Sequence, residues 1–139
     1  MRIVLDTSAL ITALRSSAGA AAEVLRLVFL RQLIVLMDYK LACEYREIAL
    51  RPEHLSISGK TPAEMQVILD ALEAVAEPVL VIAQPRPLSS DPSDDMVLDI
   101  AINGEPDAIV TNNLKHFREP ARRFSIPVMT PVDLLRRLK

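Results

Sequence analysis

The sequence predicts an α/β fold built on a mostly parallel sheet of about five strands. Three observations carry that expectation. Short β-branched runs alternate with helical patterns, the order expected of a parallel sheet. The runs are continuously apolar rather than alternating, as in strands covered on both faces. The helices between them carry readable start signals. In chain order, Ile3-Val4-Leu5 is the first strand, and Asp6-Thr7-Ser8 opens a helix. Ala21, Val24, Leu25 and Val28 make a helical stripe at i, i+3, i+4, i+7. Leu33 to Met37 is the second strand, followed by a helix on which Leu41, Tyr45 and Ile48 form the apolar side. Residues 51–60 read as a loop. Thr61-Pro62-Ala63-Glu64 is a capping box with proline at the first helical position, opening a helix with Met65, Ile68, Leu69 and Leu72 on one side. Pro78 to Ile82 reads as the third strand, Gln84 to Pro92 as a loop, and a helix starts near Ser93. Ala108-Ile109-Val110 and Pro127-Val128-Met129 are strands four and five. Thr130-Pro131-Val132-Asp133 caps a last helix carrying Leu134, Leu135 and Leu138. No repeat or internal boundary interrupts this order, so residues 1–139 read as one domain.

Composition narrows the function classes. Half of the 139 residues are hydrophobic, enough for one sizeable core, which excludes a disordered chain. The net charge is −2, aromatic residues make up 4%, and there is no tryptophan. That excludes a protein that coats nucleic acid by global positive charge or by base stacking. The single cysteine, Cys43, supports neither a disulfide nor a thiolate zinc cage and reads as small buried filler on a helix. Met1-Arg2 leads straight into the first strand, too short an apolar stretch for a signal peptide. The greasiest region, Val24 to Met37, is interrupted by Arg26, Arg31 and Gln32 and is too short to span a bilayer. A soluble, cytoplasmic protein without membrane contact is expected.

The informative residues are acids in places where acids are costly. Open α/β sheets bind ligands at the carboxyl ends of their strands, and Asp6 follows the first strand directly. Asp, Thr and Ser also cap helices, so Asp6 taken alone is ambiguous. Glu44 falls on the apolar stripe of its helix, where a carboxylate is expensive unless it is paired or holds a metal; Arg46 and Arg51 are the candidate partners. On the helix near Ser93, Asp94 reads as a first-turn acid that complements the helix dipole. Asp95 and Asp99 share a face at i, i+4 of an otherwise apolar helix and require a cation nearby. Thr111-Asn112-Asn113 ends the fourth strand. Asp6, Glu44, Asp95 and Asn113 thus come from different elements and can converge on one crevice, and oxygen-rich sites of this kind suit Mg²⁺ or Mn²⁺.

At this point the chain resembles the PIN-domain nucleases, and more narrowly the toxin components of toxin–antitoxin systems, relatives of the VapC ribonucleases. The matching residues are Ile3-Val4-Leu5-Asp6-Thr7-Ser8, Glu44-Tyr45-Arg46, Ser90-Asp91-Pro92-Ser93-Asp94-Asp95, Pro106 to Phe117 and Val128-Met129-Thr130-Pro131. The resemblance implies a three-layer αβα sandwich and divalent-metal-dependent cleavage of RNA phosphodiester bonds. It maps the first three acids of the family onto Asp6, Glu44 and Asp95, with one or two Mg²⁺ or Mn²⁺ ions. The family's fourth acid is Asn113 in this chain, which keeps a carbonyl to orient metal-bound water and loses a negative charge. Asp99, Ser8 and Thr111 are expected to support the ligands. Lys115, Arg118, Arg122 and Arg123, on the segment after Asn113, are the RNA-contact candidates, while His116 reads as a polar loop residue. The resemblance also implies a cognate antitoxin and a homodimer, with Leu27 and Leu30 as apolar surface for an interface. The alternatives are a catalytically weak or inactive module of the same fold that binds RNA or protein and, last, a receiver-like domain using Asp6 as nucleophile. With three glycines in the whole chain, the phosphate loop that this last reading needs is missing.

Overall fold

The computed structural model describes residues 1–139. Five strands, β1 (Arg2–Leu5), β2 (Ile34–Met37), β3 (Glu77–Pro78), β4 (Ala108–Val110) and β5 (Val128–Met129), form one sheet in the order β3-β2-β1-β4-β5. All four pairings are parallel, with Ile3 opposite Val35 on one side and Ala108 on the other. Eight helices complete the chain: α1 (Thr7–Arg15), α2 (Ala20–Phe29), α3 (Tyr39–Ala49), α4 (Pro52–Ser58), α5 (Pro62–Val75), α6 (Pro92–Gly104), α7 (Leu114–Arg123) and α8 (Pro131–Leu138). The helices α1, α2, α3, α4, α5 and α8 pack on one another, whereas α6 packs on α7 and, more sparsely, on α3. Right-handed crossovers place these two groups on opposite faces of the sheet, giving three layers. No helix is long and apolar enough to cross a membrane.

β1, β2 and β4 are buried almost entirely because both sheet faces are covered, and Ile3, Val4, Val35, Leu36, Ile109 and Val110 lie at the centre of one core. The expected caps are present at α5, where Thr61 and Glu64 form a reciprocal capping box, and at α8, where Thr130 accepts from Asp133 N.

Four sequence expectations change. The third strand is Glu77–Pro78 and not the apolar run after it. Val79 N still donates to Met37 O at 2.9 Å, but Leu80 and Ile82 are 78% and 79% exposed. The Asn103 side chain takes the place of a neighbouring strand, accepting from Ile82 N and Ala83 N and donating to Ala83 O. Within residues 51–60 a short helix, α4, forms with Pro52 at its start and Gly59 closing it in the left-handed conformation, φ 71°, which glycine adopts without steric cost. The segment after Asn113 is helical too. Phe117, Pro120 and Ala121 supply the buried side of α7; the run of charges hides that stripe in the sequence. Cys43 is exposed on α3 rather than buried, because Leu41, Ala42, Glu44 and Tyr45 take the inward positions.

Candidate active site

The direction of the crossovers reverses at β1, which leaves a crevice beyond the carboxyl ends of β1 and β4. Asp6 leaves β1 into this crevice. It occupies the N-cap position of α1 but its side chain caps nothing. Instead Oδ2 accepts from Ser8 Oγ at 2.6 Å and from Thr111 Oγ1 at 2.8 Å. Thr111, fully buried at the end of β4, accepts in turn from Asn113 N, and Ser8 Oγ accepts from Asn112 N. The two strand ends are thereby stitched together around one carboxylate.

Glu44 enters from α3. Neither candidate arginine pairs with it: Arg46 binds Asp70 and Glu73, and Arg51 binds Glu47. Its one partner is the Thr7 hydroxyl, which donates to Oε2 at 2.6 Å. Next to it, the buried Tyr45 hydroxyl donates to Leu5 O and ties α3 to the last residue of β1. Burial, and then the negative charges of Asp6, Glu44 and Asp38, push the Tyr45 hydroxyl well above its ordinary range, so Tyr45 stays a neutral donor.

The third acid in the crevice is Asp94, not Asp95. Asp94 occupies the inward stripe of α6 with Val97, Leu98 and Ala101. Its carboxyl is pushed up to about 6, first by burial, then by the charges of Asp91 and Asp6, with His116 acting in the opposite direction. His116 Nδ1 lies 3.3 Å from Asp94 Oδ2, so His116 faces the crevice from the first turn of α7 and is no loop residue. Asp95 accepts from Ser89 N and Ser89 Oγ at 3.1 and 2.6 Å, and its second oxygen lies 3.8 Å from Arg86 Nε. Asp99 is bound by both guanidinium nitrogens of Arg86 at 2.9 Å each. The cation required by Asp95 and Asp99 is thus a guanidinium on the loop before α6. The structure thus sets the expected ligand Asp95 and its expected support Asp99 against Ser89 and Arg86.

Asp6, Glu44 and Asp94 are 6%, 7% and 9% exposed, yet no buried side-chain oxygen lacks a partner. The oxygens without a hydrogen bond, Asp6 Oδ1, Glu44 Oε1 and Asp94 Oδ1, therefore open to solvent. No three of the Asp, Glu, His and Cys side chains stand close enough to enclose an ion by themselves. Donors of this type fit a hard cation that keeps several of its waters. Asn113 is exposed at the start of α7, and its side chain caps nothing. Asn112 is turned away to Ser8 O and Thr12 Oγ1. Of the basic candidates, Arg123 donates to Pro87 O and lies over the Phe124 ring. Lys115, Arg118 and Arg122 are exposed.

Thr7, Asp94 and His116 are the crevice residues that sequence reasoning missed. Asp94 stands at i, i+3, i+4, i+7 spacing to Val97, Leu98 and Ala101, but α6 is apolar on nearly every side, so that spacing does not single it out as it does Glu44.

The Arg86 pair makes a direct prediction. Arg86→Ala strands the buried Asp99 carboxylate and should lower the Tm by several degrees. Thermal denaturation reads the loss, and Asp99→Asn in the same background should recover part of it. An unchanged Tm would mean that solvent replaces the guanidinium without cost.

Three comparisons bear on this fold. No curated protein sequence matches the chain. Among solved structures, the crystal structure of VapBC2 from Rickettsia felis, bound to a DNA fragment from their promoter, superposes with a TM-score of 0.62. It covers 94% of this chain and 98% of the other at 16% sequence identity, a likeness of fold. A sequence profile of the PIN domain matches residues 2–115, from the first strand through the start of α7. That match spans the sheet positions of β1 to β4 and every carboxylate of the crevice, and by it the chain belongs to the PIN domain family.

Proposed function

We propose that this chain is a divalent-metal-dependent endoribonuclease, the toxin of a type II toxin–antitoxin pair. The observation that carries the reading is the set of three buried carboxylates, Asp6, Glu44 and Asp94, beyond the carboxyl ends of β1 and β4 without an Arg or Lys partner. Burying acids without such a partner is costly, and their open oxygens suit Mg²⁺ or Mn²⁺. Asp94 takes the role that the sequence gave to Asp95. Asn113 stands exposed at the rim, its side chain capping nothing, where its carbonyl would accept a hydrogen bond from water in the site.

Asp6, Glu44 and Asp94 would hold the divalent ion, which would supply an activated water and offset charge on the scissile phosphate. The chain's own residues do the positioning. Ser8 and Thr111 fix the Asp6 carboxylate by two hydroxyl donors, leaving Oδ1 free. Thr7 orients Glu44 in the same way. His116 holds Asp94 on its other oxygen. The basic side chains after Asn113 supply the attraction for RNA that an acidic chain otherwise lacks. Membership of the PIN family supports the nuclease chemistry. The fold shared with VapBC2 supports an antitoxin partner. Exposed Leu30, with Leu27 half-buried beside it on α2, offers apolar surface for a homodimer, and the absence of a membrane-crossing helix fits action in the cytoplasm.

The test is cleavage of RNA with Mn²⁺ or Mg²⁺, with and without chelator, by the wild type and by Asp6→Ala. Activity lost in both the chelated and the substituted protein is the expected result. Cleavage that survives both would remove the metal mechanism. If the wild type cleaves no RNA and binds no metal by calorimetry, the chain is instead a non-catalytic binding module of the same fold, as Asn113 in place of an acid would favour.

A further inference from the structure

Charge is unevenly divided along the chain. Residues 114–139 carry seven Lys and Arg against two acids, while residues 1–113 carry nine against sixteen. The cations of the first part are largely spent internally: Arg2, Arg26, Arg46, Arg51 and Arg86 all hold carboxylates. None of the seven Lys and Arg side chains after Leu114 does.

Three of the seven are ordered into a row. Lys115, Arg118 and Arg122 are spaced i, i+3, i+7, one face of a helix, opposite the buried Phe117, Pro120 and Ala121. Two concavities adjoin this row and share Arg118. One is lined by Asn113, Lys115, His116, Arg118 and Thr130. The other is lined by Arg118, Arg122 and Ser125 to Val128. The first abuts the carboxylate crevice, since His116 touches Asp94 and Asn112, also on its wall, bonds Ser8. Arg123 is excluded from the row by its contacts to Pro87 and Phe124.

We infer that the RNA strand leaves the crevice past Asn113 and runs along the outer face of α7, its successive phosphates held by Lys115, Arg118 and Arg122. This deepens the nuclease reading and rests on it. The row spans about 10 Å at 1.5 Å per residue, room for about three nucleotides at a stacked-strand rise of ~3.4 Å. Contacts of this kind read phosphate and not base, so this side of the cleavage point is bound without sequence preference.

The experiment separates binding from cleavage. A fluorescent oligouridylate of about a dozen nucleotides is titrated by anisotropy in EDTA, where no cleavage occurs. Three phosphate contacts to a single strand give a salt slope of about −2, hence an affinity loss of about 18-fold between roughly 50 and 200 mM salt. With Arg118→Ala and Arg122→Ala together, one contact remains and the loss over the same range should shrink to about threefold. Arg136→Ala with Arg137→Ala on α8 is the control and should keep the wild-type slope. An unchanged slope in the α7 variant, or an equal change in the control, overturns the track. Cleavage with Mn²⁺ is assayed alongside. Wild-type KM and salt dependence in the α7 variant would overturn the track and leave the nuclease reading standing. Binding through α7 without cleavage by the wild type would do the reverse.

Discussion

Asp94→Asn should lower Mn²⁺-dependent RNA cleavage at least about 100-fold, while Asp95→Asn should keep activity within about tenfold of wild type. A metal ligand contributes several kcal/mol of charge stabilisation, and each 1.36 kcal/mol is a factor of ten in rate. Asp94 shares the crevice with Asp6, whereas Asp95 is occupied by Ser89 and faces Arg86. Losing the Asp95 carboxylate loosens the start of α6 and disturbs Asp94 only indirectly, the smaller effect expected for a residue that supports a ligand. Single-turnover cleavage of one RNA by the two variants decides the matter. The opposite ranking would return the third acid to Asp95 and require the loop carrying Ser89 and Arg86 to release it.

The same carboxyl group makes the protein without metal less stable as the solution becomes less acidic. Asp94 titrates near 6 in the folded chain and near ~3.9 when unfolded. Between those values the folded state holds a proton that the unfolded state has released, so folding stability declines as pH rises. The favourable contribution is complete below pH ~4 and gone above pH ~6, a difference of about 2–3 kcal/mol. Asp94→Asn cannot titrate. In chelator it should match the wild type near pH ~4 and exceed it by about 2 kcal/mol near neutral pH, because an amide tolerates this site better than a carboxylate beside Asp6 and Asp91. Urea denaturation across that range measures the effect, and parallel profiles for the two proteins would show that Asp94 is not the strained group. Added Mn²⁺ should stabilise the wild type by mass action and leave the variant behind. The site is then a place where stability is given up for a charge arrangement that a cation completes.

These two results turn on something the sequence left open. Glu44 was legible because α3 is amphipathic: with Leu41 and Tyr45 on one side, a carboxylate among them must face inward. α6 is apolar on nearly every side, and both of its faces are covered. One residue along a helix is a rotation of about 100°, so Asp94 and Asp95 differ wholly in what they meet, yet no stripe indicates which way either points. The decision came from a loop. Arg86 and Ser89 engage Asp99 and Asp95 on one face of α6, which turns Asp94 to Asp6 on the other. α7 was hidden for a related reason. Its inward side consists of Phe117, Pro120 and Ala121, too few apolar residues to stand out among so many charges. The exposed Leu80 and Ile82 show the converse, an apolar run that no neighbouring strand covers.

The sequence by itself determined the α/β class, the parallel order of short buried strands, the caps of α5 and α8, and the acids Asp6 and Glu44 as residues that need an explanation. Each is a local matter, set by side-chain periodicity, backbone sterics and the cost of burying charge. Only the tertiary structure decided which aspartate of an adjacent pair enters the crevice, that a guanidinium satisfies the other, and that His116 reaches Asp94. Those outcomes depend on partners distant in sequence, such as Arg86 and Asp99 or Asp94 and His116, brought together when separate elements pack around one sheet.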